Sequence, residues 1–327
     1  VRTKQKLLSF LESNRGQNVS GEQIAGLLNI SRTAVWKAIN ELKKDGYKIN
    51  ATTNKGYCLS TENDILSQEG IIAFLPPELH GREIAVYPSL DSTNILAKKM
   101  ATEGASHGTV IIADHQTAGS GRYGRDFFSP AGCAIYMSII FKHLPIPSKT
   151  PTLITAFAAV AVCEAIEKTC GVSPQIKWVN DLFLNGKKTC GISTEAITSL
   201  ESGEIEWIVV GIGINVFPPA EEIPDELKNI MGTIFSQKPT ITRNHLASEI
   251  ITRMTCPHDN ICEKELLQNY RNRLMLLGKK ITVSAAGKTY NATALDIDDV
   301  GRLIIRDDYG STRELSSGEV SVKCNDL

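Results

Sequence analysis

The stretch "GSGRYGRDFFSP", residues 119–130, sets Gly119, Gly121 and Gly124 at the spacing G-x-G-x-x-G and threads Arg122 and Arg125 between them. That spacing marks a dinucleotide site when it follows a strand and opens a helix, which aims the helix N-terminus at a pyrophosphate. Here the chain runs on through Pro130 and Gly132 into "CAIYMSIIF", whose β-branched and aromatic residues predict a strand. The loop therefore joins strand to strand, the wrong context for a Rossmann domain. A kinase glycine-rich loop has that topology, but no V-A-I-K, H-R-D or D-F-G follows. What remains is a glycine-rich loop carrying two fixed positive charges, suited to closing over an anion.

The rest of the chain narrows the choice of anion. Its 327 residues suffice for two or three domains, and 42% apolar with 22% charged residues is an ordinary globular composition. The most apolar helical run, "LITAFAAVAVCEAI" from Leu153 to Ile166, is too short to span a bilayer, and the opening "VRTKQKLLSFLESN" lacks an apolar signal core. A cytoplasmic protein with no membrane partner is expected. Eight scattered cysteines without C-x-x-C read as reduced thiols, and Cys256, His258 and Cys262 lack a fourth ligand for zinc. Charge is lopsided: residues 1–62 hold 10 Lys and Arg against 5 Asp and Glu, a net of +5, while the remainder nets −6. A nucleic-acid-binding segment joined to something else is implied.

That basic end predicts three helices and a hairpin. Ser20 with Gln23 forms a capping box, Ser31 is a second N-cap, and Gly46 is a good residue just past a helix end. Two helices across a three-residue turn are the helix-turn-helix signal. On the second, Val35, Ala38, Ile39 and Leu42 face a core, while Arg32, Thr33, Lys37, Asn40 and Lys44 face out. Charge alone leaves a solvated face and a DNA face equal. The following "YKINATTNKGYCLS" turns at Thr53 to Lys55 into a β-wing bearing Lys48 and Lys55, which favours DNA, with Arg32, Thr33, Lys37 and Asn40 as the contacts. Residues 60–70, "STENDILSQEG", are polar and aperiodic and read as a linker.

Beyond it, strands and helices alternate to about Arg271. "LDSTNILAKKMA" places Asp91, Ser92, Thr93 and Asn94 at a helix start, and Gln116 lies three residues before Gly119. "KWVNDLFLNGKKTCGIS" puts Lys177, Asn180 and Asp181 before a hairpin whose return carries Lys187 and Lys188. "VVGIGINVF" reads as a buried strand broken by Gly211 and Gly213, where a ligand could approach closely. From Leu277 onward, short alternating runs turning at Gly287, Gly301, Gly310 and Gly318 suggest a small barrel.

In this order, after a winged helix-turn-helix, the series "DSTN", "HQTAGSGRYGRDFFSP", "KWVNDLFLNGKKTCGI" and "GIGINV" resembles the bifunctional biotin protein ligases that also repress biotin operons. The resemblance implies an α+β multidomain chain: a winged helix-turn-helix domain at 1–62, a central mixed-sheet ligase domain of class II synthetase type at 68–271, and an SH3-like β-barrel at 277–327. It implies that biotin and ATP, with Mg2+, yield biotinyl-5′-AMP, and that the biotinyl group passes to a lysine of a biotin carboxyl carrier protein. Operator DNA and a ligand-dependent homodimer are the other implied partners. Arg122 and Lys188 would be the catalytic cations. Ser92, Thr93, Asn94, Gln116, Ser120 and Gly121 would join them around biotin; Gly119, Arg125, Trp178, Asn180 and Asn215 would line the adenylate. Asp181 would help hold magnesium, unless it is a surface aspartate that merely starts a strand. Glu319 and Lys323 would assist ATP or carrier binding.

The sequence departs from that pattern at Ser120, where an arginine is common, at Phe127 for a usual tryptophan, at Val179 for a common proline and at Lys323 for an arginine. The alternative is a ligand-sensing regulator with an inactive ligase-like domain, against which stand Arg122, Arg125 and Lys188. A lipoate ligase would lack the winged helix and the double-arginine loop.

Overall fold

The computed structural model describes residues 3–52, 55–142, 150–198, 205–239, 241–256, 262–285, 288–316 and 319–322. Residues 1–81 with 238–252 form one compact unit, and residues 82–237 with 253–327 a second.

Local signals build the first unit. Helices α1 (Thr3–Ser13), α2 (Gly21–Leu28) and α3 (Arg32–Lys44) are present, and α2 and α3 begin where caps predict. Ser20 and Gln23 exchange two 3.1 Å hydrogen bonds, and Ser31 Oγ accepts from the Ala34 N–H at 3.1 Å. After the C-cap Asp45, Gly46 takes φ 92°, the left-handed turn that a side chain would strain. Leu7, Leu11, Ile24, Val35, Ile39 and Leu42 close one core. Strands β1 (Ile49–Thr52) and β2 (Gly56–Leu59) pair antiparallel as the wing; its tip at Thr53 and Asn54 lies outside the described residues.

Residues 60–70 are not the free linker their polarity predicts. Asn63, Asp64 and Ser67 are buried. Asp64 accepts from the Arg243 backbone N–H at 2.7 Å and from its Nε at 2.8 Å, an ion pair with both side chains 4% exposed. Asn244 accepts from the Ser67 N–H at 3.1 Å and donates to the Ile65 carbonyl at 2.9 Å. Ser67 then caps the short helix α4 (Gln68–Ile72). The aspartate that suggested solvent is bonded to a residue 179 positions away, a separation that periodicity cannot report.

The second unit holds β3 (Ile84–Tyr87), α5 (Thr93–Thr102), β4 (Val110–Ala113), β5 (Ala134–Phe141), α6 (Pro151–Cys170), β6 (Gln175–Lys177), β7 (Asp181–Leu184), β8 (Lys187–Thr198) and β9 (Ile205–Asn215). Helix α7 (Arg243–Thr255) spans the two units, and α8 (Glu263–Arg273) follows. The seven strands order as β3-β4-β5-β9-β8-β7-β6. Among them only β3 and β4 pair in parallel; the other pairs are antiparallel. The Gly119–Pro130 loop thus bridges the antiparallel strands β4 and β5, as its context required. All eight residues of β5 are buried, as befits an inner strand covered on both faces.

Strand β9 is not broken by Gly211 and Gly213 but runs unbroken through both. Neither glycine has a positive φ. They are needed for space: a Cβ on Gly211 would sit 2.2 Å from Asn94 Oδ1, and one on Gly213 would sit 2.6 Å from the Phe127 ring.

Strands β10 (Lys280–Ala285), β11 (Lys288–Ile297), β12 (Leu303–Asp307), β13 (Thr312–Leu315) and β14 (Glu319–Val322) form a five-stranded antiparallel sheet, ordered β13-β12-β11-β10-β14. This is the SH3-like element. Gly301 and Gly310 turn it at φ 80° and 85°, while Gly287, Gly318 and Lys323 lie outside the described residues. Cys58, Cys133, Cys163 and Cys190 are buried and in no disulfide. Burial pushes Cys163 up to about 12. His258 lies outside the described residues, and among those described no three potential ligands cluster for a metal. No described helix is long and apolar enough to cross a membrane.

Candidate active site

The start of α5 and the middle of the sheet share one buried polar network. The Thr93 N–H donates to Gln116 Oε1 at 2.9 Å, and Gln116 Nε2 donates to Ser129 Oγ at 3.2 Å. Asn94 spends both amide hydrogens on the protein, at 2.8 Å to Ser193 Oγ and 3.0 Å to Glu195 Oε1. Its Oδ1 accepts from Ser138 Oγ at 2.6 Å. Glu195 is held in turn by Lys98 at 2.7 Å. Ser92, by contrast, makes no side-chain cap bond to the helix it precedes. Ser92, Thr93, Asn94 and Gln116 border a narrow cavity of about 60 Å³, which also meets Ser120, Gly121, Arg122 and Lys188.

The glycine loop closes one side of this cavity. Gly121 N–H donates to the Arg125 carbonyl at 2.7 Å, and residues Arg122–Gly124 form a single 3₁₀ turn. Gly119 must be glycine, since a Cβ there would lie 2.5 Å from Ser129 Oγ and 2.7 Å from the Phe127 carbonyl. The Phe127 ring packs over Gly191 and Gly213, edge-on to Tyr136 at 6.3 Å.

A second cavity of about 370 Å³ adjoins the first. Gly121, Arg122, Phe127, Asn180 and Lys188 border both. Arg122 donates to Asn180 Oδ1 at 3.1 Å, and Asn180 Nδ2 is fixed by the Ile192 carbonyl at 2.8 Å. Across the same junction Lys188 Nζ lies 2.8 Å from Asp181 Oδ1, an ion pair by distance but off the hydrogen-bond direction. The hairpin of β7 and β8 brings them within reach, because it pairs Lys188 with Phe183, two residues along the strand from Asp181. Arg125, Trp178 and Asn215 line the larger cavity. Trp178 is anchored from outside, its indole N–H donating to the Gly301 carbonyl at 3.0 Å, while the buried Tyr270 hydroxyl donates to the Val179 carbonyl at 2.8 Å. Asn215 donates to the Gly232 carbonyl at 3.1 Å and leaves a buried Oδ1 without a partner.

The arrangement therefore joins a small polar cavity to a larger one through a junction bearing two cations. Of the residues expected to line biotin or the adenylate, Gly119 borders neither cavity; it shapes the loop from behind, and Lys323 lies outside the described residues. Sequence reasoning missed Ser138, Ser193 and Glu195, which hold Asn94, and Ile230, Met231, Ser284 and Val320 in the larger wall. Serines inside strands and apolar residues in a loop carry no local signal of a site.

A separate surface lies on α3. Arg32, Thr33, Lys37 and Lys44 are exposed and Asn40 is half-buried. Lys48 and Lys55 of the wing are both exposed, and Lys48 pairs with Glu62 at 3.3 Å.

Comparison with known proteins matches the same three regions. Residues 86–215 match the biotin/lipoate A/B protein ligase family, residues 3–58 an HTH domain and residues 276–323 the biotin protein ligase C-terminal domain. The bifunctional ligase/repressor BirA of Bacillus subtilis is 35% identical over 94% of this chain and 95% of its own length. This chain belongs to the bifunctional ligase/repressor family. Membership extends to the BirA of Escherichia coli, 30% identical over 97% of this chain and 96% of that protein. Among solved structures, the Aquifex aeolicus biotin protein ligase in complex with biotin and ATP covers 74% of this chain and 98% of its own, at 24% identity and TM-score 0.62. It supports the ligase fold that the family name carries.

Proposed function

We propose that this chain is an ATP-dependent biotin protein ligase that activates biotin as biotinyl-5′-AMP, transfers it to a lysine of a biotin carboxyl carrier protein, and represses transcription in response to biotin. The observation that carries the ligase reading is the junction of the two cavities. Arg122 and Lys188 border both, which is where a carboxylate held in the smaller cavity would meet an α-phosphate held in the larger. The carboxylate oxygen forms a bond to that phosphorus as the bond to pyrophosphate breaks, and negative charge gathers there. Fixed cations stabilise such a transition state more than the ground state. In the second step the carrier's neutral amine attacks the anhydride carbonyl, and AMP departs.

The small cavity would take biotin's ureido end against Ser92, Thr93 and Gln116, with Asn94 shaping the floor rather than donating, because both its hydrogens are already used. Ser120 and Gly121 would cover the chain of the ligand. Arg125, Trp178, Asn180 and Asn215 would face the nucleotide, the open Asn215 Oδ1 offering an acceptor. The donor set for magnesium fits only in part. Asp181 is a single carboxylate already facing Lys188, so it would hold the ion beside phosphates and water, where the metal supplies charge neutralisation. The glycine loop would exclude water from the anhydride.

The three-domain division at 1–62, 68–271 and 277–327 is part of the same reading, as is a cytoplasmic location. Arg32, Thr33, Lys37 and Asn40 would contact operator DNA. One helix-turn-helix reads a half-site, so a repressor of this type acts as a homodimer. Incubation with ATP and labelled biotin or lipoate, with and without a carrier domain, tests the enzyme: transfer of biotin alone is expected, and transfer of lipoate or of neither ligand refutes it. Sedimentation and operator binding at fixed salt, with and without biotin plus ATP, test the coupling. Equal dimer fractions and equal affinities would refute biotin-responsive repression alone.

A further inference from the structure

The chain has three tryptophans. Trp178 and Trp207 are buried at 3% and 8% exposure, whereas Trp36 is 57% exposed on α3. It is not part of that unit's core, to which α3 contributes Val35, Ala38, Ile39 and Leu42, and it lies on the flank of that buried face. Trp36 follows Arg32 by four residues and precedes Asn40 by four, so the three share one stripe. It forms the ridge between two surface depressions: one shared with Arg32, Thr33 and Tyr57 of the wing, the other with Lys37, Asn40 and Lys44.

We infer that the Trp36 indole is a specificity determinant that packs on the C5-methyl of a thymine in the major groove of duplex DNA. The inference rests on the DNA-binding reading of α3. Charge selects the occupant. Four cations, Arg32, Lys37, Lys43 and Lys44, against two carboxylates, Glu22 and Glu41, line the depressions beside the indole in a domain of net charge +5, so a second copy docking the same face would set net like charge together. Duplex DNA answers both features, because phosphates take the cations and the thymine methyl is the apolar group on the major-groove edge of the bases. Arg32 and Asn40 on the same stripe then supply polar base contacts on either side of an apolar one.

The test uses the full chain with biotin and ATP, and duplexes enriched for binding from a random-sequence pool. Each thymine of the selected site is replaced in turn by deoxyuridine, which removes only the methyl. The wild type should lose roughly fourfold in affinity at one or two positions per half-site, the value of one buried carbon. Trp36→Ala should lose about tenfold or more and become indifferent to those methyls, while its far-UV circular dichroism and its thermal unfolding match the wild type and show that the first unit is folded, and its biotin ligation stays at the wild-type rate. Trp36 emission should be shielded from acrylamide by the duplex. The inference is overturned if the wild type ignores every methyl, or if Trp36→Ala binds as tightly as the wild type. It is overturned too if protein concentration alone shields the indole, which would assign it to a second copy. If the wild type enriches no duplex, the DNA-binding reading falls with it.

Discussion

Replacing Gly211 by alanine adds a single carbon at the floor of the small cavity. Backbone strain is not the issue, because Gly211 has no positive φ. The added Cβ would stand 2.2 Å from Asn94 Oδ1, 2.6 Å from Ser193 Oγ and 2.7 Å from Asn94 Nδ2. None of these is the free end of a flexible side chain: Asn94 is clamped by Ser138, Ser193 and Glu195. To make room the amide must leave, breaking the bonds to Ser138, Ser193 and Glu195 at about 1 kcal/mol net each. Residual overpacking adds about 1–3 kcal/mol. The expected destabilisation is therefore about 4–6 kcal/mol by urea titration. Because the same amide shapes the floor, the KM for biotin in pyrophosphate exchange should rise at least tenfold while the KM for ATP stays within twofold. Gly26→Ala serves as control. Gly26 lies in the exposed part of α2, where an added Cβ would meet no atom within 4 Å, so the variant should gain about 0.5–1 kcal/mol from helix propensity. A Gly211→Ala protein less than 1 kcal/mol weaker than wild type, with biotin KM unchanged, would refute the network as the floor of the site.

Lys188→Ala should lower pyrophosphate exchange about a hundredfold or more, the scale of one preorganised donor; exchange within threefold of wild type would reduce Lys188 to a hairpin lysine paired with Asp181. Arg122→Gly should release the adenylate early, so that an unrelated protein becomes biotinylated at random; labelling confined to the carrier at lower total rate would assign Arg122 to catalysis alone. Asp64→Ala removes the carboxylate from the buried Arg243 and should destabilise the first unit by about 3–5 kcal/mol, read by urea titration; a loss under 1 kcal/mol would mean that water reaches the pair. Alkylation of the native protein at pH 8 should modify the exposed Cys262 and spare Cys163 and Cys190, whose thiols burial holds above their usual range; equally fast labelling of Cys163 would contradict its burial.

What the sequence by itself determined is whatever short-range physics controls. Ser20 with Gln23, Ser31 and Gly46 fixed the ends of the first helices, because caps and left-handed turns are satisfied within a few residues. The context of Gly119–Pro130 excluded a Rossmann turn for the same reason, since a strand must follow it. The motif order also named Arg122, Lys188, Asn180 and Gln116 as partners, though not how they meet. Only tertiary structure decided the fate of residues 60–70, whose aspartate and serine are buried against Arg243 and Asn244. It decided too that Gly211 and Gly213 leave room for Asn94 and Phe127 within an unbroken strand, and that Asn94 is held by Ser138, Ser193 and Glu195. These outcomes depend on which distant backbone brings a partner to a buried polar group. A hydrogen bond between residues so far apart along the chain leaves no periodicity behind, so the fold has to exist before its site can be read.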